Sequence, residues 1–306
     1  MASTRDIKRR IKSVKNIAQI TKAMEAVAAN KMRKSQEFAI QARPYAVASL
    51  ELLHNLLSRT PNAPALLKSR EVKKSALLVV TSDKGLAGAY SSNVIRVAEK
   101  WVADKKKSGA EFTLIVVGKK ARDYFSHRGI PIHESFSGFG DFSELDETKA
   151  ITDLIVNGFL IGSWDEVYAV YTHFRTTLRQ EVLARKLLPA TEAGISEMVQ
   201  GILPEHGRYS KTHDKKAVPL AIEYKFEPST SEIINTLVPR IIAMHVHHVI
   251  LEANASEHSS RMVAMKNASD NAKDLIADLS LVYNKVRQAG ITREIIEITA
   301  GKQALE

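Results

Sequence analysis

Three places in the 306-residue sequence carry residue types that could do chemistry. The first is Asp83-Lys84-Gly85-Leu86-Ala87-Gly88, which follows an apolar β-type run, Ser75 to Thr81, at the point where an α/β fold could cradle a phosphate. The spacing is neither G-x-G-x-x-G nor G-x-x-x-x-G-K-[ST]. The two glycines therefore read as a strand-to-helix turn, and Asp83 and Lys84 as turn and capping residues. The second place is the histidine group His245, His247 and His248, of which His245 and His248 share a helix face at the i, i+3 spacing a metal could use. No carboxylate completes them at zincin spacing, and polar residues on a helical seam more often fix register than bind metal. Zero cysteines exclude thiolate nucleophiles, disulfides, Cys-containing zinc sites and thiol redox switches. No Ser/His/Asp or paired-carboxylate spacing is identifiable, so no catalytic residue, cofactor or metal site is expected.

The third place is a block of charge. Residues 1–45 hold 11 Lys and Arg against three acids, which is eight of the chain's net ten positive charges. Such a block meets a polyanion, which can be a nucleic acid, an anionic lipid or an acidic protein surface, or it is a solvated helix face. Arg5, Lys8, Arg9 and Lys12 fall on the side away from Ile7, Ile11 and Val14, so the basic face is free for a partner. A nucleic-acid-binding protein is the alternative reading, although only Phe38 and Tyr45 in this block could stack on bases.

The elements that must position these residues are two long helices around a different middle. From Arg5 to about Leu57 there is no glycine and one proline, and Ile7, Ile11, Val14, Ile17, Ile20, Met24 and Val27 recur every three or four positions. From Ile234 to Val286, alternate steps of three and four meet sixteen positions, thirteen of them apolar, with His248, His258 and Ser269 the exceptions. A period of 3.5 held this long implies a left-handed coiled coil, on the order of 100 Å of helix at about 1.5 Å per residue. Ser229 and Glu232 have capping-box spacing at its start. The two stripes are read as antiparallel partners, with the C-terminal helix extending past the pair. Between them, Ser75 to Thr81, Phe112 to Val117 and Glu166 to Tyr171 alternate with helical segments, which indicates a Rossmann-like α/β domain with a largely parallel sheet. Glu181 to Leu188 and Leu220 to Phe226 read as later strands, and Gly201 to Lys216 as an exposed loop. The expected boundaries are 1–57, 75–226 and 229–306. No run reaches the ~18 to 20 apolar residues of a membrane span, and the N-terminus has no secretory core.

These residues resemble a known family. The stretch Arg5-Asp-Ile-Lys-Arg-Arg-Ile-Lys-Ser-Val-Lys-Asn-Ile17, the stretch Gln19-Ile-Thr-Lys-Ala-Met24, the block Ser256 to Ala272 and the terminus Ile291 to Ile298 are similar to the γ subunits of F-type ATP synthases. Thr81-Ser-Asp-Lys-Gly-Leu86 fits that family's first strand-to-helix turn, and the resemblance covers the whole chain. It departs at Gly301-Lys302, where the family usually has Gly-Ala, and in lacking the cysteine pair of the light-regulated plant form. The resemblance implies a central-stalk rotor that breaks no bonds itself and transmits torque, coupling proton or sodium flow to ATP synthesis. Its implied partners are a ring of α and β subunits, the ε subunit and a ring of c subunits, with no nucleic acid. By motif match, Met24, Arg287, Gln288, Thr292 and Glu297 join Arg5, Lys8, Arg9 and Lys12 as expected partner-interface residues. The implied location is the cytoplasmic face of a bacterial plasma membrane, peripheral through the complex.

Overall fold

The computed structural model describes residues 3–41, 43–57, 64–140, 145–177, 179–191, 194, 227 and 229–303. Leu220 to Phe226 and Gly201 to Lys216, expected as a strand and a loop, lie outside the described residues. The elements are α1 (Thr4–Gln41), α2 (Arg43–Leu57), a 3-10 turn (Ala65–Leu67), β1 (Lys74–Val80), α3 (Tyr90–Lys107), β2 (Glu111–Val117) and α4 (Lys119–His127). Then follow β3 (Ile132–Phe136), α5 (Lys149–Leu160), β4 (Glu166–Phe174), β5 (Gln180–Leu188) and α6 (Thr230–Gln303). They divide into two compact units, residues 1–28 with 261–306, and residues 29–260.

The larger unit holds a five-stranded sheet of order β3-β2-β1-β4-β5, parallel except for β5, which pairs antiparallel with β4. Apolar side chains on both faces of β1 explain the reach of its core, because successive residues point to opposite sides of a strand. Leu77 and Val79 pack with Leu114, Val116, Val94, Ala98 and Phe125 of β2, α3 and α4. Ala76, Leu78 and Val80 face the other way, into a cluster with Ile151, Ile155 and Phe159 of α5, Leu53 and Leu56 of α2, and Ile241, Val246, Val249 and Ile250 of α6. Helices on both faces of a mostly parallel sheet make the Rossmann-like layer anticipated above. An 18-residue window of α6 has a mean hydropathy of 1.3, enough by length and composition to cross a membrane, yet 56% of it is buried within the protein. No uninterrupted apolar run of that length is present, and α6 gives apolar residues to the core against the sheet.

The smaller unit pairs the start of α1 with the end of α6, and the Ser269 hydroxyl approaches the Ala18 carbonyl at 3.5 Å. Counted outward in the antiparallel sense, that contact brings Ser3 level with about residue 284. Cover ends there, since Val286 is half-buried while every residue from Arg287 to Ala300 is exposed. A parallel register would keep α6 covered further along.

On α6 the expected seam holds, with Met262, Met265, Ser269, Ala272, Ile276, Leu279, Tyr283 and Val286 all buried or half-buried. On α1, beyond Val14, it holds only at half-buried Met24. The buried or half-buried positions run Ile7, Ile11, Val14, Ala18, Thr21, Glu25 and Ala28, and the same alternation continues in the larger unit as Met32, Ser35 and Ala39. Ile17, Ile20 and Val27, expected in the seam, are 49%, 59% and 54% exposed. The physical reason is a strict 3.5-residue period, which steps from Ile7 through Ala18, Thr21 and Ala28 and leaves Ile17, Ile20 and Val27 off the seam.

Candidate partner interface

The expected interface residues sit on the two helices of the smaller unit. Ser3 starts α1, its hydroxyl accepting from the Asp6 amide at 3.2 Å and donating to the Asp6 carboxylate at 2.9 Å. This cap satisfies an amide that would otherwise lack a partner in the first turn. Arg5, Lys8, Arg9 and Lys12 are all exposed, and Arg9 reaches Asp6 at 3.1 Å in an open ion pair. Cations near a helix N-terminus oppose the macrodipole, so these residues do little for the helix that carries them. Met24 is half-buried beside the seam. Arg287, Gln288, Thr292 and Glu297 are fully in the exposed end of α6, where Thr292 donates to the Gln288 carbonyl at 3.0 Å. The antiparallel register brings Arg5 and Arg287 to neighbouring levels, while Met24 lies several turns away. Beside them Ile291, Ile295, Ile296 and Ile298 are 49–74% exposed, apolar side chains that this chain does not cover.

The aspartate of the loop that could have cradled a phosphate is engaged with α4. Asp83 accepts from the Lys119 amide at 2.9 Å and the Gly138 amide at 2.7 Å, so the N-terminus of α4 already holds an anion. The Thr81 hydroxyl donates to the Val117 carbonyl and accepts from the Ala121 amide. Gly118 must be glycine, because its φ is +94° and a Cβ would stand 2.2 Å from the Thr81 carbonyl oxygen. Asp83 thus acts as the cap read from the sequence. The glycine reading needs amendment, since the positive φ values fall at Leu86 and Gly88 and not at Gly85.

The histidines join a network that spacing did not show. His248 Nε2 lies 3.1 Å from Glu252 Oε1, and His173 Nδ1 lies 2.9 and 3.0 Å from the two Glu252 oxygens. A carboxylate four residues on does complete His248, but it bridges two imidazoles. Among the described residues no group of His, Asp or Glu could hold a metal ion. Burial alone would raise the Glu252 pKa, but the His248 charge and the bonds from His173 and His248 outweigh it and hold the carboxyl well below its ordinary range. Burial pushes His245 down to about 3 and His247 down to about 4, so both are neutral. The Glu at i+4 from His248 was the available signal for this network. His173, 79 residues away from Glu252, was not detectable by spacing.

A family model described as ATP synthase matches residues 3–305. The ATP synthase gamma chain of Chloroflexus aurantiacus is 40% identical over 309 residues, covering 100% of this chain and 99% of the relative. The chain belongs to the ATP synthase gamma family. A chain in the solved central stalk and c-ring of the Tetrahymena thermophila mitochondrial ATP synthase is 26% identical, with TM-score 0.58, covering 82% of this chain and 99% of that one. A chain of the Euglena gracilis mitochondrial enzyme, solved with its catalytic head and c-ring, shares the fold at TM-score 0.65 and 16% identity, covering 99% and 94%. Full-length membership of the gamma family displaces the nucleic-acid reading of the basic helix.

Proposed function

We propose that the chain is the central-stalk rotor of an F-type ATP synthase, carrying torque between ion flow in the membrane sector and a catalytic ring of α and β subunits. The observation that carries this reading is α6, one unbroken helix that packs on the sheet, then pairs with α1, then continues uncovered from Arg287 onward. A shaft needs a stiff element anchored at one end and free to engage a partner at the other. An apolar, exposed helix end suits a sleeve formed by other subunits.

In this reading residues 1–57 and 229–306 form the stalk coiled coil, and 75–226 the α/β domain toward the c-ring and the ε subunit. Arg5, Lys8, Arg9 and Lys12 meet acidic surface of the catalytic ring, with Met24, Arg287, Gln288, Thr292 and Glu297 as further contacts. Opposite charges suit a contact that must form and release on every turn, because exposed pairs hold only weakly. The chain performs no bond-breaking step itself, and it belongs to a membrane-bound complex whose stalk faces the bacterial cytoplasm. Co-expression of the tagged chain with α, β and ε subunits tests the proposal. The expected result is a co-purified complex in which ATP hydrolysis turns a bead fixed to this chain. A chain that purifies alone and neither binds nor turns within the ring would refute it.

A further inference from the structure

The hairpin of β4 and β5 meets α6 through more than apolar contact. Along α6, His248 and Glu252 reach β4 through His173, at 2.9–3.1 Å. One turn further, the Ser256 hydroxyl donates to the Thr172 carbonyl at 3.0 Å. The Ser259 hydroxyl then donates to the Thr177 carbonyl at 3.0 Å, and the Ser260 hydroxyl to Gln180 Oε1 at 2.7 Å. His248, Glu252, Ser256 and Ser260 advance by four with Ser259 beside the last, so the groups lie along one side of the helix, and their partners run from the end of β4 through the turn into the start of β5. The hairpin tip is itself closed, with the Thr176 amide donating to the Arg179 carbonyl and the Arg179 amide to the Thr176 hydroxyl.

Apolar burial is non-directional, so a helix packed on a sheet by side-chain area alone can creep or turn with little loss of buried surface. Hydrogen bonds lose strength steeply with misalignment, so a row of them resists rotation of the helix about its own axis. A buried, bridging carboxylate adds to this, since breaking it would leave a charge without partners. We propose that His248, Glu252, Ser256, Ser259 and Ser260, with their partners on the β4–β5 hairpin, form the joint that passes torque between the α/β layer and the shaft helix. The joint rests on the rotor reading above, and it makes these five positioning residues for coupling.

The test uses the complete ATP synthase in sealed vesicles. The Ser256→Ala/Ser259→Ala/Ser260→Ala triple variant removes three bonds without adding bulk, and Glu252→Gln keeps shape while weakening the bridge. Ser280→Ala is the control, because its hydroxyl donates to the Ile276 carbonyl of its own helix and, among the described residues, to no other group. Two readouts are taken, ions transported per ATP hydrolysed and torsional stiffness of the rotor from bead fluctuations. Expected is a loss in both for the triple variant and Glu252→Gln, with ATP hydrolysis retained and Ser280→Ala matching the parent. Parent-like transport and stiffness in both variants, or an equal loss in Ser280→Ala, would overturn the joint while leaving the rotor reading standing. A parent complex that does not rotate would overturn the rotor reading and the joint with it.

Discussion

Glu166 is a carboxylate with three partners at the opening of β4. It accepts from Ser75 Oγ at 2.9 Å, Lys105 Nζ at 2.7 Å and Lys186 Nζ at 3.2 Å, tying together β1, the end of α3 and β5. Burial would raise its pKa, but the bonds from Lys105, Ser75 and Lys186 prevail and lower it. Glu166→Ala should therefore destabilise the chain by about 1–3 kcal/mol in urea unfolding at neutral pH. A depressed carboxylate stabilises above the ordinary glutamate range and loses that contribution as pH falls through its folded value. The gap between parent and variant should accordingly narrow on acidification, and a gap independent of pH would assign the effect to packing. His245 has linkage of the same sign, from a different cause: burial disfavours its protonated form. It is neutral in the fold, facing His248 and Glu252 on its own helix and Arg185 on β5, with Tyr171 and His173 of β4 beside Glu252. Between about pH 6.5 and about 3 the unfolded chain holds a proton that the folded one does not, so stability must fall with acid in that window. Thermal melts at pH 7 and pH 5 should show a drop that His245→Phe reduces. An unchanged drop would place the acid sensitivity elsewhere, with His247 the next group to replace.

At the scale of elements, the α1 seam sorts residues that look alike in sequence. Val14 is buried and Ile20 exposed, although both are β-branched apolar residues six apart on one helix. Val14→Asp places a charge where it finds no water and should cost several kcal/mol, at about 1–3 or more for each unpaired polar group buried. Met265→Asp should act likewise from the α6 side, where Met265 is 5% exposed. Ile20→Asp should change the free chain's stability by no more than about 0.5 kcal/mol. Circular dichroism melts of the three variants read the register directly. If Ile20→Asp proves as damaging as Val14→Asp, the small-residue seam of Ala18, Thr21 and Ala28 is the wrong one.

For the whole molecule, the concentration of charge at one end asks for a partner. Reversing Arg5, Lys8, Arg9 and Lys12 together to Glu should leave helicity and melting temperature of the free chain nearly unchanged, because all four are exposed. It should weaken assembly with the catalytic ring by a few kcal/mol at most, at about 0.2–1 kcal/mol for each exposed pair. Added salt should partly restore assembly by screening the new repulsion. Sedimentation of the reconstituted complex at low and high salt measures this, and salt-independent assembly equal to the parent's would reduce the basic face to a solvated surface.

The sequence by itself determined the architecture, because long-range order here follows from local periodicity. The 3.5-residue step of α6 and the alternation of short apolar runs with helical segments each specify which face must be covered. Tertiary structure alone decided which stripe of α1 is the seam. Ile17, Ile20 and Val27 are more apolar than Ala18, Thr21 and Ala28, and only the strict 3.5-residue step of the pairing with α6 makes the smaller set the seam. It also decided the bridge from His173 through Glu252 to His248 and the serine row, since the β4–β5 side of each contact lies about 80 residues away along the chain. Spacing reveals pairs within a helix or strand. Pairs made by laying a helix across a hairpin depend on the packing itself.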